Sequence, residues 1–160
     1  DVEETGKDFE ENAILKAKNA FTKTNISSVG DDSGLIVPAI NGEPGLYSAR
    51  YAGLNATDSD NRNKLISKLK DNKLESTYAY FFCCIVAVGI KGQNEIIVCD
   101  GKVEGEVRTI ERGEKGFGYD PMFYPKGYSE SFAELNSLEK NKISHRGQAL
   151  KKLMDKLNKT

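Results

Sequence analysis

Six consecutive residues, Gly116-Phe117-Gly118-Tyr119-Asp120-Pro121, bring together two glycines, two aromatic rings, a carboxylate and a proline. Glycine lets the backbone pass close to a ligand. An aromatic ring offers a flat face on which a base can stack, and a carboxylate accepts hydrogen bonds from ring nitrogens or exocyclic amines. The combination suits a loop that grips a flat, polar heterocycle. It suits equally an ordinary turn whose two rings, Phe117 and Tyr119, drop into the core.

Three other polar clusters could carry chemistry. Asp31-Asp32-Ser33-Gly34 sits where an apolar run ends. Adjacent carboxylates repel, so at least one faces water, a metal or a cation. Oxygen-only ligation suits Mg²⁺, while an Asx turn capping a strand is the alternative. Glu3, Glu4, Glu10 and Glu11 add carboxylates around a helix start, where the helix dipole alone favours them. Lys140, Lys142, Ser144, His145 and Arg146 gather donors at the front of the expected final helix. Cations there oppose the dipole unless an anion binds nearby. Otherwise they form a solvated face, as Lys151, Lys152, Lys156 and Lys159 do. Arg50, beyond the Gly-Glu-Pro-Gly turn, is placed for a carboxylate or a phosphate.

The elements that must position these clusters are legible from periodicity. A helix is expected from Asp8 to about Lys23, capped by Asp8, with Phe9, Ala13, Leu15, Ala17, Ala20 and Phe21 inward. Ile26 to Val29 reads as a short strand. Leu35 to Ile40 reads as a short or edge strand because of Pro38, and Asn41 to Tyr51 as a loop. A second helix runs from Asp58 to about Leu69, with Leu65, Ile66 and Leu69 on one face. Tyr78 to Ile90, a turn at Lys91 to Asn94, and Glu95 to Asp100 form a strand pair, which Val103 to Ile110 extends or follows. Arg112 to Gly127 reads as a long loop. Leu138 to Leu157 is largely helical, with Leu150, Leu153, Met154 and Leu157 as its buried stripe. Helices interleaved with strands predict one α/β domain over residues 1–160, a mixed twisted sheet flanked by helices.

Bulk properties narrow the function classes. In 160 residues, 23 Lys and Arg face 24 Asp and Glu, a net charge of -1. That balance argues against sequence-independent nucleic-acid binding, which needs a basic face, but leaves room for a nucleotide. The apolar stretch Phe81 to Val88 is too short to cross a bilayer. Cys83, Cys84 and Cys99 read as buried free thiols, which favours a reducing compartment such as the cytoplasm. His145 is the only histidine and no CxxC spacing occurs, which argues against zinc. The first residue is Asp1, so the start is expected to be processed or incomplete.

In order along the chain stand Glu3-Glu4-Thr5-Gly6, Phe9-Glu10-Glu11-Asn12-Ala13, Asp31-Asp32-Ser33-Gly34-Leu35, the run Asn41 to Gly53, Gly116 to Pro121, Lys140, and Ser144-His145-Arg146. This succession resembles the inosine triphosphate pyrophosphatase family, the non-canonical purine nucleoside triphosphate pyrophosphatases, from Asp1 to about Leu153. The resemblance implies hydrolysis of ITP, dITP or XTP between the α and β phosphates, which cleanses the nucleotide pool, with Mg²⁺ as cofactor and a homodimeric assembly. It implies Asp32 as general base, and Glu3 with Asp32 as Mg²⁺ ligands, Glu11 being a weaker candidate. It implies Ser33 and Lys140 as substrate contacts, Phe117 stacking on the purine, and Gly118, Tyr119 and Asp120 shaping the pocket. His145 and Arg146 would address the base edge. The family's opening strand and its Thr/Ser-x-Asn-x-x-Lys phosphate loop are absent from the sequence, so the domain is expected to be N-terminally incomplete. A nucleotide-binding module without catalysis is the alternative reading, and a phosphatase releasing orthophosphate a third.

Overall fold

The structure is a computed structural model, and it describes residues 2–92 and 94–159. In chain order the helices and strands are α1 (Phe9–Thr24), β1 (Ser28–Ile36), α2 (Asp58–Asp71), β2 (Ser76–Val88), β3 (Ile96–Arg108), β4 (Phe123–Pro125), α3 (Ser137–Ile143) and α4 (His145–Asn158). The strands form one sheet in the order β1-β2-β3-β4. The α/β class holds, and the sheet is antiparallel among the described strands, a narrower arrangement than the mixed sheet expected. The short link between β2 and β3 cannot supply the crossover that a parallel pair needs. The β3–β4 register sets Gly105 opposite Pro125 and Val107 opposite Phe123.

Chain contacts gather in two compact units. The first comprises Asp1–Ser33, Phe82–Lys102 and Ser144–Thr160, and the second Gly34–Phe81 and Val103–Ile143.

In the first unit, β2 is covered on both faces. Cys83, Ile85 and Ala87 pack with Ile97 and Cys99 of β3 and with Ala149 and Leu153 of α4. The alternate residues Cys84, Val86 and Val88 pack with Ala13 and Ala17 of α1. Successive strand side chains point to opposite faces, so a helix on each side explains the unbroken apolar run. Two glycines allow the helices in. A Cβ on Gly30 would lie 2.6 Å from the Ala17 nitrogen, and one on Gly101 would lie 1.9 Å from the His145 carbonyl oxygen. Cys83, Cys84 and Cys99 are free and buried, as expected. Burial pushes the Cys83 thiol up to about 11 and the Cys84 thiol up to about 12, so both stay protonated at neutral pH.

Asp8 caps α1 as expected, accepting the Glu11 N–H at 2.8 Å. Leu15, expected inward, is exposed. The expected helix from Leu138 to Leu157 is two helices, because Ser144 breaks it and caps α4 by accepting the Gly147 N–H at 3.0 Å. Ala149 and Leu153 face the sheet, one turn apart. Leu150 and Met154 follow them by one residue, roughly 100° around the helix, and are about half exposed rather than buried.

The second unit has a single aromatic and aliphatic core that includes Leu35, Val37, Leu65, Leu69, Phe81, Phe123 and Phe132. The Phe123 ring lies 4.7 Å from Phe81 and 4.9 Å from Phe132, centroid to centroid. A capping box opens α2. Thr57 Oγ1 accepts the Asp60 N–H at 3.1 Å, and Asp60 Oδ2 accepts the Thr57 N–H at 2.9 Å.

Four segments differ from their sequence reading. β1 runs unbroken through Asp31-Asp32-Ser33-Gly34, replacing two short strands and a polar turn. A strand is held by backbone bonds, so a buried Asp is tolerated once it has partners. Pro38 opens a 3₁₀ turn, Pro38–Ile40, instead of sitting in an edge strand. The expected loops hold structure too. Gly45–Arg50 is a 3₁₀ helix that follows the cis Glu43–Pro44 bond, and Asp120–Met122 is a 3₁₀ turn leading into β4. Gln93, inside the expected Lys91 to Asn94 turn, lies outside the described residues. Among the described residues, no helix is long and apolar enough to cross a membrane.

Candidate active site

In the first unit, the site begins on α1. Asn12 and Lys16 are one turn apart and share a face. The Asn12 side-chain amide donates to Asp32 Oδ2 at 3.2 Å. Lys16 Nζ donates to Asp32 Oδ1 and to the Asp31 carbonyl, both at 3.0 Å, and pairs with Glu4 at 2.6 Å. Asn12 Oδ1 in turn accepts the Gly6 N–H at 2.7 Å, which ties the segment carrying Glu4 to the helix.

Asp32 is 7% exposed. Burial holds its carboxyl above the usual carboxylate range, and the charge on Glu4 pushes the same way; Lys16 and Asn12 oppose both. Burial works to lower the Lys16 pKa, but its bonds to Glu4 and Asp32 outweigh this and hold the ammonium above its ordinary value. The outcome is a permanent cation beside a carboxylate more basic than an exposed one, the property needed to take a proton from water.

The donors gathered here are oxygens. Among the described residues, no group of three or more His, Cys, Asp or Glu collects at one point. Two carboxylates, Asp32 and Glu4, nevertheless converge on Lys16. That set fits Mg²⁺, which binds through one or two carboxylates and completes its shell with water and substrate phosphate. Glu4 is the acid that reaches Lys16, whereas the carbonyl of its neighbour Glu3 accepts the Thr5 N–H at 3.1 Å. Glu11 Oε2 accepts the Lys7 N–H at 2.7 Å, closing the first turn of α1.

Ser33 is half-buried on β1, directly after Asp32. Ser144 and His145 are buried at the start of α4. Arg146 Nη2 meets Asp31 Oδ2 at 2.8 Å, which brings the head of α4 to the Asp31-Asp32 pair. The break at Ser144 changes the dipole argument. Lys140 and Lys142 lie in the last turn of α3, where cations are favoured; only His145 and Arg146 stand at a helix N-terminus.

The second unit holds the Gly116 to Pro121 loop, whose two rings differ in burial. Tyr119 is buried and its hydroxyl donates to the Ser48 carbonyl at 2.7 Å; burial pushes that hydroxyl well above the ordinary phenol range. Phe117 is 61% exposed. Asp120 is buried, and its Oδ2 accepts Lys140 Nζ at 2.5 Å and the Phe117 N–H at 3.1 Å. Lys140 Nζ also stands 4.9 Å from the centre of the Phe117 ring. Gly118 is bonded through both its peptide groups to α2, by Asp58 and Arg62. Arg50 lies over the Tyr47 ring at 5.1 Å.

Sequence reasoning gave no role to Asn12, Lys16, Asp58 or Arg62. For the first two a signal existed: they are a polar i, i+4 pair beside Ala13 and Ala17 on the buried stripe of α1. Asp58 and Arg62 gave none, since an acid in a first helical turn and an arginine one turn later look ordinary.

The Ham1 family model matches residues 1–156. A curated relative from Idiomarina loihiensis, a dITP/XTP pyrophosphatase, is 48% identical over 159 residues, which is 99% of this chain and 79% of the relative. Another of the same description, from Bacillus anthracis, is 47% identical over 98% of this chain and 78% of its own length. The solved Ham1 protein of Staphylococcus aureus superposes with a TM-score of 0.89 at 46% identity, covering 99% of this chain and 80% of that one. That of Coxiella burnetii gives 0.93 at 43%, covering 100% and 81%. The order of the motifs, the helix-flanked sheet and these likenesses agree, and the chain belongs to the Ham1 family.

Proposed function

We propose that the chain hydrolyses dITP, ITP and XTP to the nucleoside monophosphate and pyrophosphate. The observation that carries this reading is Asp32, a buried carboxylate with raised basicity, held by Asn12 and by the Lys16 cation. Water attacks the α phosphorus, the bond from that phosphorus to the α–β bridging oxygen breaks, and pyrophosphate leaves with the electron pair. Asp32 takes the proton from the attacking water. Lys16 keeps that carboxylate charged and oriented. Asp32 with Glu4, or with Glu3 in its place, would hold Mg²⁺, which when bound neutralises phosphate charge.

At the base, Phe117 supplies the stacking face, and Tyr119, Asp120 and Lys140 fix its loop. Ser33 contacts the substrate. His145 and Arg146 offer donors to the 6-oxo group of hypoxanthine or xanthine. Adenine presents an amine there, and facing donor to donor leaves buried groups unpaired at a cost of ~1–3 kcal/mol. The same reading takes the protein as a cytoplasmic homodimer, in keeping with three reduced, buried thiols.

The test is product identity. Incubated with ITP, dITP, XTP, ATP or GTP, with Mg²⁺ or with a chelator, the protein releases pyrophosphate from the first three, far more slowly from ATP and GTP, and from none without metal. Orthophosphate as the product, or ITP bound without turnover, overturns the proposal.

A further inference from the structure

One helix holds the loop of Phe117 from both sides of a single residue. Asp58, the first residue of α2, accepts the Gly118 N–H through Oδ2 at 2.9 Å. Arg62, one turn further on, donates Nη1 to the Gly118 carbonyl at 2.8 Å. Residues four apart project from the same helix face, so both grips belong to one rigid element. That element is itself secured by the Thr57–Asp60 capping box and by fully buried Leu65 and Leu69. Arg62 is steadied from its other side by an ion pair with Glu111. Both bonds to Gly118 carry a formal charge on one partner and are stronger than neutral ones.

Gly118 is in the left-handed region at φ 58°, and beyond its own chain neighbours no described heavy atom lies within 4 Å of where its Cβ would be. Polar contacts from α2 reach both its N–H and its carbonyl. On one side of it Tyr119 is buried in the core; on the other Phe117 projects its ring into solvent. An exposed ring serves as a stacking platform only if its backbone is fixed before the base arrives, since orientation gained on binding costs affinity.

We propose that Asp58 and Arg62 are positioning residues. They act through Gly118 to hold Phe117 in the orientation in which a purine base stacks, so that α2 sets base affinity without touching the nucleotide. This rests on the reading of the chain as a purine nucleoside triphosphate pyrophosphatase.

The experiment measures pyrophosphate release from ITP by the wild type, Arg62→Ala, Arg62→Lys, Asp58→Asn, Phe117→Ala and the Arg62→Ala/Phe117→Ala double variant. It also follows exchange of the Gly118 amide by NMR. Arg62→Ala is expected to raise KM about tenfold, the scale of a lost charge-assisted hydrogen bond, while kcat stays within about twofold. Arg62→Lys recovers part of the loss. The double variant is no worse than Phe117→Ala, because the clamp then has no ring to place. In Asp58→Asn the Gly118 amide exchanges faster while the Leu65 and Leu69 amides do not, which separates loop release from unfolding. An unchanged KM in Arg62→Ala, or losses that add fully in the double variant, overturns the proposal. A wild type that releases no pyrophosphate rejects the activity reading instead. The clamp is then decided by exchange alone, and equal Gly118 rates in the wild type and Asp58→Asn reject it.

Discussion

The cluster around Asp32 and the loop around Phe117 are built in opposite ways. Around Asp32 a charged group is buried, and the Asn12 and Lys16 side chains of α1 satisfy it. Around Phe117 an apolar ring is exposed, and the backbone beside it is tied down. The first arrangement tunes a proton affinity, because burial and a neighbouring cation act on it in opposite directions. The second fixes a direction in space, because a flat face needs an orientation more than it needs a charge. Substitutions in the two clusters should therefore differ in kind: the first set should change turnover and its pH dependence, the second affinity for the base.

The largest effect is expected at Asp32. Asp32→Asn keeps the shape and removes the base, so turnover of ITP falls about 10²–10⁴-fold while the thermal midpoint stays near that of the wild type. Full activity in that variant would remove Asp32 from the mechanism. Next comes Phe117→Ala, for which loss of a stacked base, ~1–3 kcal/mol, raises KM by roughly 10- to 100-fold with a much smaller change in kcat. A fall confined to kcat would erase the contrast between the two clusters.

Lys16→Met sharpens the electrostatic side of the comparison. Without the cation, only the Asn12 bond opposes burial at Asp32 and its carboxyl rises further, so the acidic limb of the kcat/KM profile moves to higher pH. Stability follows with a definite sign. A carboxyl raised on folding favours the native state while protonated, below the unfolded-state pKa, and that advantage is lost as pH rises through the folded value. The thermal deficit of Lys16→Met relative to wild type should therefore be larger at pH 7 than at pH 4. An unmoved pH profile would mean that Lys16 does not govern Asp32. The smallest effect is expected from Thr57→Ala. Loss of the cap costs ~1 kcal/mol, seen as a small drop in thermal midpoint, with little change in KM while Asp58 and Arg62 keep their places on α2.

The sequence was clearest where a signal is local. The Asp8 cap, the start of α2 at Asp58, the buried thiols of β2 and the ordered motifs were each legible because neighbouring residues determine them. It was least clear where a distant partner overrides local preference. Asp31-Asp32-Ser33-Gly34 reads as a turn, yet it is strand, because α1 supplies partners for the buried Asp32 side chain. Phe123 to Pro125 reads as loop, yet it pairs with β3. Leu150 and Met154 carry the composition of a buried stripe, but the break at Ser144 and the close approach at Gly101 turn Ala149 and Leu153 to the sheet instead.

By itself the sequence determined which groups are present and in what order: the carboxylates, the cations of Lys140 to Arg146, the two rings and the glycines between them. Only the tertiary structure decided which ring is buried and which is offered, that Glu4 reaches Lys16, and that α2 grips Gly118. The physical reason is that a hydrogen bond between residues far apart in the chain depends on the register and approach of whole elements. Those are set by the packing of Ala13, Ala17, Leu65 and Leu69 rather than by the residues that form the bond.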